Sequence, residues 1–133
     1  MKAAQEGMHF ARTIHQDSPR FGSAVLTDKG NIYSAGQYVS DSLSLTLHAE
    51  QVAIAHAAAH GEYAIVAIAT VGNEAAYKMS GGIIYPCHIC KQVLWESHLR
   101  SGHNTEIYIV DSSLKIIEKL LLREIMHSPW PML

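Results

Sequence analysis

The sequence has little charge and almost no cysteine. Only 17% of its 133 residues are charged, and 10 basic side chains against 12 acidic ones leave a net charge of −2. Such a chain has no basic field with which to hold a polyphosphate backbone, so long nucleic acid is not expected as a partner. Two cysteines make no disulfide framework. As a C-x-x-C pair they suit a metal or a redox couple in a reducing, cytoplasmic setting. The opening residues, Met1 to Glu6, lack the apolar core of a secretory signal. The longest smooth apolar run, Ala64 to Val71, is far too short to span a bilayer. A soluble cytoplasmic protein with no membrane association is expected. No internal repeat, low-complexity segment or linker breaks the chain. A hydrophobic content of 48% fits a single domain over residues 1–133, burying roughly two-thirds of its unfolded surface.

Residues 3–15 predict an amphipathic helix with Met8, Ala11 and Ile14 at three-residue spacing, broken at Asp17-Ser18-Pro19. Residues 21–27 and 32–38 are β-forming runs around the turn cluster Asp28-Lys29-Gly30-Asn31, which reads as a hairpin. A serine-rich connection over 39–47 leads into an alanine-rich helix from His48 to Ala59, stopped by Gly61. Residues 64–71, apolar on both faces, suit a central strand covered on both sides. Residues 72–85 read as a loop, and 87–99 as the second long helix. Strands over 106–110 and 114–118 are joined only by Asp111-Ser112-Ser113. A parallel crossover needs about a dozen residues, so these last two strands are expected to be antiparallel. A short helix over 120–126 precedes the tail. The pattern is an α/β fold, a five-stranded mixed sheet between helical layers.

Both cysteines fall in Tyr85-Pro86-Cys87-His88-Ile89-Cys90, at the head of a helix. Two thiols at that spacing can grip one soft metal ion from a single turn of backbone. Alone, the pair also fits a thiol redox couple or a structural metal knuckle. A further ligand is available upstream in His48, again at a helix start. His48 adds no negative charge, and three protein ligands leave the fourth tetrahedral position open, as a catalytic zinc requires. Glu50 sits two residues beyond His48, too close along the backbone for an easy second ligand. It is well placed instead to hydrogen-bond a water held by such a metal.

H-x-E followed by P-C-x-x-C is the known signature of zinc-dependent nucleobase deaminases. The segments Thr46–Ile54 and Pro86–Glu96 resemble the cytidine deaminase family. The likeness extends weakly to Gly22–Leu26 and to Arg123–Met126 with Trp130. It implies the three-layer α/β/α fold of that family, one Zn²⁺ per chain on His48, Cys87 and Cys90, and Glu50 as the proton shuttle. It further implies that the Ala49 amide binds the pyrimidine carbonyl oxygen and the Tyr85 carbonyl the leaving amine. Short members are homotetramers (a homodimer is the smaller option), and a C-terminal aromatic reaches a neighbour's pocket, a role falling here to Trp130. The antiparallel ending matches cytidine deaminases and blasticidin deaminase.

Nucleoside-specific members carry an Asn-x-Glu pair after the second strand. This chain reads Gly36-Gln37-Tyr38-Val39-Ser40-Asp41 there, with Tyr38 and Ser40 nearest those positions. The aromatic before the first strand is displaced to Phe21. The expected activity is therefore hydrolytic deamination of a cytosine-type nucleoside or related aminated heterocycle with an atypical substituent. A blasticidin-like antibiotic deaminase is one alternative, and a catalytically silent zinc-stabilised binding protein is another. His56 and His60, four apart on a helix, could bind a metal but read rather as a solvated or core-edge pair, and His88 as pointing away from the metal.

Overall fold

The computed structural model describes residues 1–131. Its elements are α1 (Lys2–Met8), β1 (Phe21–Thr27), β2 (Ile32–Gly36), α2 (Ala49–Ala59), β3 (Ile65–Gly72), α3 (Glu74–Met79), α4 (His88–Ser101), β4 (Glu106–Val110), β5 (Ile116–Leu121) and α5 (Leu122–Ile125). The strands form one sheet in the order β2-β1-β3-β4-β5. β1 pairs antiparallel with both β2 and β3, β3 and β4 run parallel, and β5 returns antiparallel beside β4. The α/β/α fold with a mixed five-stranded sheet and an antiparallel ending is the one expected.

Alternation along β1 separates the two layers. Val25 faces α2 and α4, in a core with Ala53, Ala57, Ile68, Leu94 and Trp95, while Ala24 faces α1 in a smaller cluster with Ala4 and Val71. Alanines at three buried positions of α2, Ala49, Ala53 and Ala57, recur every fourth residue and bring its backbone close to the sheet.

The α1 seam is closer still. A Cβ added at Gly22 would lie 2.1 Å from the Ala4 carbonyl oxygen, and one at Gly36 would lie 2.4 Å from the Ala11 nitrogen. Backbone meets backbone there, so small residues are buried (Ala4, Gly7 and Ala11), while Ile14 is exposed. This corrects the longer helix expected over 3–15. After Ala11 the chain is drawn into bridges instead: the Arg12 amide donates to the Gln37 carbonyl at 2.8 Å and the Val39 amide to the Arg12 carbonyl at 2.9 Å.

Two other boundaries move. Residues 72–85 are not wholly a loop, because Asn73 caps α3, its side-chain oxygen accepting from the Ala76 amide at 3.0 Å. The same oxygen accepts from the Arg20 amide at 3.0 Å, which ties the entry of β1 to α3. At the β4–β5 link the Asp111 carboxylate accepts from the Ser113 hydroxyl (2.6 Å) and the Ser113 and Lys115 amides (2.9 and 3.0 Å). Leu114 takes a left-handed conformation, φ 64°. The turn therefore runs through Lys115, and β5 starts two residues later than the composition suggests. It then continues to Leu121, which leaves α5 a single turn.

Candidate metal centre and active site

The N-termini of α2 and α4 meet at one end of the sheet. His48 precedes the first residue of α2 in an extended conformation, and Gln51 accepts its amide N–H at 2.8 Å. Cys87 occupies the equivalent position on α4, its sulfur accepting from the Cys90 amide at 3.5 Å. Each helix therefore begins on one of the candidate ligands, and the two positive helix ends converge on the same point.

His48, Cys87 and Cys90 bring one donor atom each to within 4.8 Å of one another. The Cys87 and Cys90 sulfurs are 3.2 and 3.4 Å from His48 Nδ1 and 3.5 Å from each other, and both cysteines are free. Tetrahedral zinc, with Zn–S near 2.3 Å and Zn–N near 2.0 Å, asks for separations of about 3.8 Å between sulfurs and about 3.5 Å from sulfur to nitrogen. The cluster is within a few tenths of an ångström of that. Two soft sulfurs and one imidazole also make the donor set that selects zinc over magnesium or calcium. Burial pushes the Cys90 thiol far above its usual range, and the Glu50 carboxylate and Cys87 sulfur push it further. A cation among these groups removes that conflict. The residues fit the ion.

Glu50 lies in the first turn of α2 and is only 7% exposed. Its carboxylate is 3.5 Å from Cys90 Sγ, its one hydrogen-bond partner among the described residues. His48, Ala49, Glu50 and Cys87 line one cavity of about 350 Å³, which Phe21 and Tyr85 share. The size is that of a small-molecule site.

The other candidates fall elsewhere. Tyr38 and Ser40 do not line this cavity. Tyr38 is exposed beneath the Arg12 guanidinium, 5.2 Å from its ring centre, and its backbone pairs with Leu47. Ser40 is buried, and its hydroxyl is 2.9 Å from that of Ser42. Trp130 is 78% exposed, and its carbonyl accepts from Gln92 at 2.7 Å on the flank of α4. The Tyr85 hydroxyl donates to Glu118 at 3.2 Å.

Residues to which the motifs gave no role complete the cavity: Gln37, Thr46, Leu47, Met79, Ser80 and Ile84. Gln37 continues the parity of Tyr33 and Ala35, which pack against the α2-side core, so strand alternation was a usable signal for it. Met79 ends α3, and the Asn73-Glu74 start of that helix was the signal that could have found it.

A His/Cys/Cys cluster at two converging helix starts, with a buried carboxylate beside an open cavity, defines a metal-dependent hydrolase site on an α/β/α scaffold. Residues 1–102 match the family described as the cytidine and deoxycytidylate deaminase zinc-binding region, and the chain belongs to that family. It carries the equipment of a zinc-dependent hydrolytic deaminase for a pyrimidine-type substrate. No curated protein matches the sequence significantly. Among solved structures, the chain is similar to a cytidine deaminase from Burkholderia pseudomallei (TM-score 0.80, 22% identity, covering 97% of this chain and 94% of that one). It is also similar to the cytidine deaminase from Mycobacterium tuberculosis (TM-score 0.76, 21% identity, 98% and 94% covered). A third is the cytidine deaminase from Bacillus anthracis (TM-score 0.69, 16% identity, 97% and 85% covered). At these identities the likeness carries the fold.

Proposed function

We propose that the chain, as a single domain over residues 1–133, uses one Zn²⁺ on His48, Cys87 and Cys90 to hydrolyse the exocyclic amine of a cytosine-like heterocycle. Water adds to the aminated ring carbon, the C–N bond breaks, and a ring carbonyl and ammonia result. When bound, the ion supplies Lewis acidity that lowers the pKa of water from about 16 to about 7. Glu50 takes the proton from the attacking water, passes it to the ring nitrogen and delivers a proton to the departing amine. The Ala49 amide N–H binds the ring carbonyl oxygen, and the Tyr85 carbonyl accepts from the leaving amine. Phe21 packs against the ring. Tyr38 and Ser40 stand outside the cavity of one chain and have no direct part in this scheme.

One observation carries this reading: the Glu50 carboxylate is buried 3.5 Å from the Cys90 sulfur and lines the same cavity as His48 and Cys87. Ammonia release from a panel of cytosine and aminopurine compounds, on protein of measured zinc content, tests it. A blasticidin-like specificity would show within that panel as turnover of the antibiotic alone. Silence across the panel with zinc bound would favour the binding-protein alternative.

The protein is proposed to act in the cytoplasm, where a free C-x-x-C pair stays reduced. Among the described residues, no helix is long and apolar enough to cross a membrane. A homotetramer, or a homodimer, is proposed because Leu47 at the cavity wall and Leu43 and Leu45 just before it in the chain are 47, 64 and 73% exposed, and Trp130 is available to reach a neighbouring subunit. Light scattering tests the assembly; a monomer at all concentrations would refute it.

A further inference from the structure

We infer that His56 and His60 form a second, weaker and exchangeable site for a divalent transition-metal ion of the nickel, copper and zinc group. It lies at the opposite end of α2 from the candidate metal centre. His56 stands in the last turn of the helix, His60 is the residue that closes it, and both are exposed. Side chains four apart on a helix are neighbours on one face. At 1.5 Å of rise per residue, His56 is about 12 Å along the helix from His48. The pair therefore shares no donor with the cluster of His48, Cys87 and Cys90. It binds its ion whether or not the chain is a deaminase.

The ring nitrogens decide what the pair can do. His56 Nδ1 is 3.0 Å from the Ser34 carbonyl oxygen, and His60 Nδ1 is 3.0 Å from the His56 carbonyl oxygen. A carbonyl oxygen only accepts, so each Nδ1 carries the proton and donates it. In the neutral rings both lone pairs are then left on Nε2, and neither Nε2 has a hydrogen-bond partner among the described residues. A Nδ1–H held by a backbone carbonyl is the arrangement that fixes tautomer and orientation in metal-binding imidazoles.

The spacing of the rings agrees. Two Nε2 atoms at about 2.0–2.1 Å from one ion set the ring centres about 4.5–5.2 Å apart, for angles of about 90–109° at the metal. The two centres are 5.3 Å apart, with the planes tilted by 57°. Tyr33 packs against both rings, its centre 5.1 and 5.0 Å from theirs, and its hydroxyl is tied to the buried Glu62. The rings are thus held before any ion arrives, which lowers the ordering cost of binding. Imidazole donors suit nickel, copper and zinc and suit magnesium or calcium poorly. Solvent fills the ion's remaining positions.

Calorimetric titration of the zinc-loaded protein with nickel chloride reads the site, with zinc content measured before and after. The expected result is one nickel ion bound per chain, with zinc retained and Tm raised. His56→Asn and His60→Asn, both at exposed positions, should each weaken nickel binding by about tenfold or more. His9→Asn, at an exposed histidine outside the pair, should leave it unchanged. Paramagnetic nickel should also broaden the ring-proton NMR signals of His56 and His60 in the parent protein before those of any other histidine. No nickel bound, nickel entering only by displacing zinc, binding indifferent to both substitutions, an equal loss in His9→Asn, or another histidine broadened first would each overturn the assignment.

Discussion

Glu50 and Glu62 are the two buried carboxylates of this region, one opening α2 and the other just past its end. They are 7 and 6% exposed. Glu62 accepts hydrogen bonds from Thr27 (2.6 Å), from Asn31 (3.1 and 3.0 Å) and from the Tyr33 hydroxyl. Those bonds, Thr27's first and Tyr33's next, hold its pKa below the ordinary value of 4.5, and the Tyr33 contact raises the tyrosine's own. It ties both strands of the β1–β2 hairpin to the segment between α2 and β3. Among the described residues Glu50 has only the Cys90 sulfur at 3.5 Å, beside a cavity. A carboxylate saturated by neighbours organises structure. One left nearly free beside a cavity fits the proton relay proposed for Glu50. Burial alone does not separate the two roles; the number of donors does.

The sharpest way to probe this contrast is to take away the ion. Stripping it with a chelator should reduce ammonia release to background and lower Tm, and added Zn²⁺ should restore both. Ligands bind metal after losing their protons, and Cys90 is pushed up by burial. Metal affinity should therefore fall as pH falls, read by competition with a zinc indicator. Unaltered activity in zinc-free protein would remove the metal from the mechanism.

Next in size is Glu50→Gln, expected to lower kcat by about 10²- to 10⁴-fold while zinc content and Tm hold. Activity within threefold of the parent would show that Glu50 moves no proton. Glu62→Gln should behave oppositely, lowering Tm by a few degrees with kcat unchanged. Because the folded Glu62 is more acidic than the unfolded one, its stabilisation is complete above pH 4.5 and vanishes as pH drops through the folded value. The variant's Tm should therefore fall less steeply than the parent's between about pH 5 and pH 3; parallel curves would contradict the assignment. The smallest effect belongs to Asn73→Ala, which loses the α3 cap and the tie to Arg20 for about 1–2 kcal/mol, measured by urea unfolding.

His48, Glu50, Cys87 and Cys90 were legible because their chemistry is carried by spacing along two short segments. Each pair sits within one turn of helix, so local sequence places both members together. The order of the strands was legible in part: a short link after β4 forces an antiparallel return whatever surrounds it. Met8 and Ile14 misled because helical spacing says which residues share a face, not how close that face comes to a sheet. At Gly22 and Gly36 it comes within backbone contact, and large side chains are turned away. Tyr38 drew attention by lying near the family's sugar-binding position, yet alternation through Ala35 points Gln37 inward and Tyr38 out.

The residues themselves determined the donor set, the acid beside it and the direction of the last hairpin, since each depends on neighbours a few positions apart. Folding alone decided that two helix starts 39 residues apart in the chain share one point in space, with His48 Nδ1 3.2 Å from Cys87 Sγ. It also decided that Phe21, Gln37, Leu47 and Met79 wall the same cavity. Contacts of that range are set by packing on a common sheet, and no local pattern encodes them.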